Sequence, residues 1–267
     1  EILSGLVGSE MCIRDRPFVH LRIPGVLQRI ALCYCVISFT ALFMNHKFIP
    51  ALTFILLVSY TVILCMGNGY ACDESNILSI IDRQLFGEAH LYQKSPIDPE
   101  GFVSTLSAIA HTCIGFSYGK WIIQSHQTEN KVLRLFLTGF ILISIGYLLA
   151  DALPLNKRIW SPTFVLVTCG AASMSLATLM YYIDIRNKQK WCRFFIIFGV
   201  NPLFLYVLSE VLAIMMGSTG WKAAAYAAIH SGITDAYLAS AVYALVFTLF
   251  LGGIGYPLYL KKIYIKL

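Results

Sequence analysis

The chain has 267 residues, of which 58% are hydrophobic and only 13% charged, and its formal net charge is +6. A soluble domain carries about 25% charged residues, so this composition leaves too little polar surface for a water-soluble fold. The cations sit mostly in short connections between apolar runs and form no basic stripe interleaved with aromatics, which excludes nucleic acid as the expected partner and points to membrane lipid.

The first 16 residues stand apart from the rest. The stretch from Gly5 to Arg16 has no periodicity and lacks the apolar core and small-residue cleavage site of a signal peptide. It resembles translated sequencing-adapter sequence. Residues 1–16 are therefore expected to be non-native, and 17–267 to form one transmembrane domain lacking its first helices.

Seven apolar runs follow: Val26–Met44, Ile49–Met66, Phe102–Ile123, Val132–Leu149, Thr163–Ile183, Phe194–Met216 and Ala236–Leu260. Each is long enough to cross ~30 Å of hydrocarbon at ~1.5 Å per residue. The expected fold class is all-α, a polytopic transmembrane helical bundle of about seven spans. Pro202 and Pro257 should kink their helices, and Gly115 and Gly119, four apart, mark a possible close helix approach. The long 67–101 connection contains Ile77, Ile80, Ile81 and Leu85 at helical spacing, which predicts a short interfacial helix over 76–86.

Orientation follows from the loops. Lys47, Lys131, Arg134, Arg186, Lys188, Lys190, Arg193, Lys261, Lys262 and Lys266 fall in one alternating set of connections. Asp73, Glu74, Asp82, Glu88, Asp98 and Glu100 fall in the opposite set. The cation-rich side is expected to be cytoplasmic, which puts the C-terminus inside and the 67–101 loop outside.

Three polar motifs share the outer side. Around the Pro24-Gly25 turn, Arg22, Gln28 and Arg29 suit either bidentate contact with phosphate or carboxylate, or snorkelling to headgroups. In the second motif, His90 precedes Asp98 and Glu100, which bracket Pro99. Asp98 suits an N-cap with Pro99 at the first helical position, while Glu100 is free for hydroxyl or amine binding, or for service as a base. The third holds Asn156, Lys157 and Trp160, where Trp160 fits an interfacial aromatic belt and the other two suit substrate. Within the spans, His111, Asn201 and Glu210 are costly polar groups and candidates for function or for hydrogen-bonded packing. No cysteine and histidine spacing suits zinc, and the eight cysteines are expected to be small packing residues.

At these motifs the chain resembles the heparan-α-glucosaminide N-acetyltransferase family, including bacterial members. The matching stretches are LRIPGVLQRIALCY at 21–34, IDRQLFGEAHLYQKSPIDPEG at 81–101, PLNKRIWSPTFVL at 154–166 and GVNPLFLYVLSE at 199–210. The resemblance implies a membrane acyltransferase that passes acetyl from cytosolic acetyl-CoA to a glucosamine-like amine across the bacterial cytoplasmic membrane, with homodimers expected. The family's proposed catalytic histidine lies upstream of the first motif. That role is carried by none of His20, His90 or His111, so the catalytic group is unassigned, with Asp98 and Glu100 as candidates, and a truncated chain is expected to be inactive. A transporter of sugar or acyl groups, with His111, Asn201 and Glu210 along its path, and a non-catalytic membrane protein are the competing readings.

Overall fold

A computed structural model describes residues 22–92, 95–125, 127–233 and 235–265; the 1–16 segment lies outside them. The described residues are all-α, with ten α-helices and no strand. They fall into two compact units divided between Asn187 and Lys188.

The first unit contains α1 (Val26–Phe43), α2 (Ile49–Met66), α3 (Ile77–Phe86), α4 (Thr105–Gln124), α5 (Thr128–Leu148) and α6 (Pro162–Met180). α4 packs against α1, α2, α5 and α6. The α5–α6 contact is the most extensive and depends on missing side chains. A Cβ on Gly139 would lie 2.8 Å from the Gly170 carbonyl oxygen, and one on Gly146 would lie 2.6 Å from Val167. Ser173 Oγ donates to the Leu135 carbonyl at 2.7 Å across the same seam. The expected Gly115 and Gly119 approach is corrected here, since a Cβ at either would meet nothing within 4 Å. Close approach follows the facing backbone, which spacing within one helix does not reveal.

The second unit contains α7 (Cys192–Val200), α8 (Pro202–Ser218), α9 (Trp221–Gly232) and α10 (Ala236–Leu260). Pro202 does more than kink its run. The chain breaks at Asn201 and turns by 81°, with Pro202 at the start of α8 where its missing N–H costs nothing. Pro257 stays inside α10. Between the last two apolar runs, Trp221–Gly232 forms α9, where the alanines favour helix.

Five helices or helix runs, built on α1, α2, α5, α6 and α10, are long and apolar enough to cross a bilayer, and the bent pair α7–α8 makes a sixth if it is one broken span. The about-seven estimate also counted α4, which has 20 residues but carries Ser107, His111, Thr112, Ser117 and Lys120. Large apolar side chains on the outside, such as Phe43, Met66, Ile123 and Leu148, each more than 79% exposed, are stable where lipid replaces water.

One buried apolar cluster sits under the polar loops: Tyr60 and Leu64 of α2, Leu78 of α3, Ile97, Val103 and Ile159. The Tyr60 hydroxyl donates to the Ile159 carbonyl, which ties the 156–161 loop to α2. α3 itself is well delimited. Asn76 caps it by accepting from the Leu78 N–H at 2.9 Å, and Gly87 ends it at φ 76°, a left-handed value that favours glycine. Its buried face is Leu78, Ser79 and Asp82, with Ile80 and Leu85 exposed. The apolar spacing located the helix, and Ile77 and Ile81 of that set pack against the buried cluster.

The packed α5–α6 seam yields a direct expectation. Gly170→Val should force the two helices apart and destabilise the protein by about 1–3 kcal/mol, the usual cost of overpacking. Gly115→Val should cost far less. Thermal melts of the detergent-solubilised protein compare the two.

Candidate functional site

The three outer polar motifs meet at one end of the first unit, where α1 and α4 begin and where the 156–161 loop leads into α6. The Ile23 N–H donates to the His90 carbonyl at 3.0 Å, which holds the segment before α1 against the second motif. Arg22 Nη2 then reaches Asp98 Oδ1 at 2.7 Å and Glu100 Oε2 at 2.5 Å. The Arg22 guanidinium also lies over the Tyr92 ring, 4.8 Å from its centroid.

Asp98 has no exposed side-chain surface, and its carboxylate is met by donors. Oδ1 also accepts from the Glu100 N–H at 2.9 Å, and Oδ2 accepts from the Tyr92 N–H at 2.9 Å. Asp98 is therefore not the α4 N-cap, because that helix begins only at Thr105, after Ser104. It closes a turn of its own and receives Arg22. Burial works against the Arg22 cation, but the hydrogen bond and charge of Asp98, together with Glu100, outweigh it and raise its pKa above the ordinary value. Glu100 keeps part of its side chain exposed, at 19%. A cleft of ≈ 340 Å³ opens beside this pair, lined by Glu74, Arg83, Tyr92, Ser95 and Asp98 among others.

Seven residues on from Arg22, Arg29 enters a second cluster. Its Nη2 donates to the Gly101 carbonyl at 3.1 Å and to Ser104 Oγ. Ser104 and Thr105 donate to the same carbonyl at 2.9 and 3.1 Å, so Gly101 joins α1 to the start of α4. The Arg29 guanidinium lies 5.3 Å from the Trp160 ring centroid, and the Trp160 ring lies 6.0 Å from that of His111. Trp160 has φ 53°, a left-handed conformation that costs a non-glycine residue on the order of 1–3 kcal/mol. Arg29 Nε and Nη1, Trp160 Nε1, Ser107 Oγ and His111 Nδ1 are buried without a hydrogen-bond partner. Each such group costs about 1–3 kcal/mol, and more when charged.

Other candidates are placed differently. The Asn156 carbonyl side chain accepts from the Arg158 N–H at 2.9 Å, and its backbone pairs with Ser161, so it shapes the loop that presents Trp160. Lys157 and Gln28 are exposed, and Gln28 lies over Gly25. The first and second motifs are joined through Arg22, and the third reaches Arg29 through Trp160. In the second unit the Asn201 amide is taken up by the tail: Nδ2 donates to the Ile263 carbonyl at 2.9 Å and Oδ1 accepts from the Ile265 N–H at 2.8 Å. Glu210 is half-buried on α8.

With this geometry in view, the comparisons become specific. Heparan-alpha-glucosaminide N-acetyltransferase of Mus musculus is 25% identical over 98% of this chain, and that of Homo sapiens 24% over 98%. The chain is a distant relative of these acetyltransferases. It spans about half the length of the curated relatives it matches, 47% and 46% of each. No family model matches it. The similarity covers all the described motifs, and it agrees with the membrane helices in making this a transferase-like integral membrane protein.

One functional candidate escaped the sequence reading. Asp82 of α3 is 1% exposed. Its Oδ1 accepts from the Phe102 N–H at 2.8 Å, while Oδ2 has no partner and lies so close to Gly101 that a Cβ there would collide with it. Asp82 follows Leu78 by four residues, so a helical reading that placed Leu78 inside would have placed Asp82 inside too. Burial raises its pKa to about 6, with Asp98 adding to the rise and the Phe102 hydrogen bond and Arg29 opposing it.

A raised carboxylate binds its proton more tightly folded than unfolded. Its stabilising contribution is therefore complete below the ordinary aspartate value and is lost as pH rises through about 6. The loss is on the order of 3 kcal/mol. Asp82→Asn should accordingly melt higher than wild type at pH 7.5, and the gap should narrow as pH falls through about 6 and close only below the ordinary aspartate value of 3.8. A gap that does not change with pH would show Asp82 ionised throughout.

Proposed function

We propose that this chain carries the acceptor side of a membrane acetyltransferase that moves acetyl from acetyl-CoA to the amine of an amino sugar. The observation that supports it most is the meeting of Arg22, Asp98 and Glu100 at the starts of α1 and α4, drawn from motifs 76 and 78 residues apart in sequence. A bundle that only needed to stand in lipid gains nothing from burying a carboxylate there and pairing it with an arginine. The names of the distant relatives supply the reaction class.

In this reading the partly exposed Glu100, fixed by Arg22, meets the acceptor's ammonium or hydroxyl groups and takes up the proton that the amine must lose. Asp98, enclosed by donors, is a positioning residue that holds Arg22 and the 98–101 turn. The amine nitrogen attacks the thioester carbonyl carbon, the C–N bond forms, the C–S bond breaks, and CoA leaves as the thiol. In this reading, which the charge pattern of the loops supports, this end lies outside the cytoplasm and the C-terminus inside, and the membrane is a bacterial cytoplasmic one. The physiological protein is read as a homodimer.

The test uses membranes containing the full-length native protein, radiolabelled acetyl-CoA and glucosamine. Wild type should acetylate the amine. Glu100→Gln and Arg22→Ala should each lower the rate by about 10²-fold or more, the usual range for a lost acid–base group, and Asp98→Asn should act through folding as well as rate. Undiminished transfer in all three variants removes this site assignment. A wild type that transports labelled sugar and acetylates nothing favours the transporter instead.

A further inference from the structure

We infer that Arg29, Trp160 and His111 form a distinct oxyanion subsite, which holds the carbonyl oxygen of the transferred acyl group. The inference rests on the acetyltransferase reading and deepens it. The three side chains come from three segments, α1, the loop before α6, and α4, and stack in sequence: guanidinium over indole at 5.3 Å, indole beside imidazole at 6.0 Å. Each carries a buried nitrogen without a partner. Arg29 is only 7% exposed and uses a single nitrogen, Nη2, on Gly101 and Ser104. Its other two nitrogens remain, in a setting where unpaired donors are rare outside functional sites. The left-handed backbone of Trp160 adds strain at the same place, as expected where a side chain is held for a ligand.

The donor set selects the ligand class. Arg29 supplies one fixed positive charge and Trp160 a neutral N–H, while His111 supplies Nδ1, a donor in one tautomer. Asp98 and Glu100 are engaged with Arg22, and Asp82 accepts from Phe102 through Oδ1 while its Oδ2, against Gly101, has no partner. One cation with neutral donors suits a single negative charge that develops during reaction. The diphosphate of a nucleotide would ask for several cations. When the amine attacks the thioester carbon, the carbonyl π electrons move to oxygen. When that oxyanion collapses, the C=O bond re-forms, the C–S bond breaks and the thiolate takes the proton that the amine lost. Donors fixed at the oxygen favour that step over the ground state.

The test uses full-length protein in membranes. Trp160→Phe keeps an aromatic ring over Arg29 and removes only the N–H; Arg29→Lys keeps the charge and removes the fork. Steady-state transfer and equilibrium binding of CoA itself are measured, with melts as a folding check. Trp160→Phe should lower kcat by about 10²-fold, the usual effect of one lost oxyanion donor, with CoA affinity and melting temperature close to wild type. Arg29→Lys should lower kcat further. If wild type transfers acetyl and Trp160→Phe does so equally fast, or loses CoA affinity with kcat intact, this inference is overturned and the acetyltransferase reading stands. If wild type transfers none, both fall.

Discussion

A carboxylate can remain buried only if donors replace the water it has lost, and Asp98 is where that constraint acts on this chain. It has no exposed side-chain surface, and it is satisfied by a guanidinium and by two backbone N–H groups. Those donors come from the segment before α1 and from the loop before α4. Satisfying one anion therefore brings two distant parts of the sequence together. Everything proposed for the site follows from that junction: Glu100 is fixed beside Arg22, and Arg29, seven residues further along, is delivered to Gly101.

Gly101 is the second element of the arrangement. Its carbonyl collects Arg29, Ser104 and Thr105, and its missing side chain leaves room for Asp82. Two ionisable groups, Arg29 and Asp82, thus converge on one glycine. Beneath it, Tyr60, Leu64, Leu78 and Ile159 form an apolar floor that keeps the loops from sinking between the helices. The division of labour suits a membrane protein. Lipid stabilises the greasy exterior, and the polar end is stabilised by its own hydrogen bonds.

Much of this was legible in the sequence. The helical spacing of isoleucines located α3, and the apolar runs located the spanning helices, because both depend on local periodicity. The three polar motifs were expected on one side because the alternating loop charge assigned them there. What local periodicity could not supply was the pairing itself. Asp98 before a helix looks like a cap, and only the three-dimensional turn shows that it serves Arg22 instead. Asn156 looks like a substrate ligand, but its side chain closes a turn. Asp82 was missed because apolar spacing alone does not show that Leu78, Ser79 and Asp82 form the buried face of α3. The close glycines were misplaced for a related reason: Gly139 and Gly170 matter because they face each other across two helices.

The central claim is that Arg22 and Asp98 act as one unit. A double-mutant cycle on the full-length protein tests it most directly, using Arg22→Met, Asp98→Asn and the combined variant, with unfolding free energies measured in detergent. The account predicts strong coupling: Arg22→Met should cost about 3–5 kcal/mol because it leaves the Asp98 charge buried without its cation, Asp98→Asn should cost less because Glu100 still pairs with Arg22, and the double variant should cost much less than their sum. Effects that add to within about 0.5 kcal/mol would contradict it.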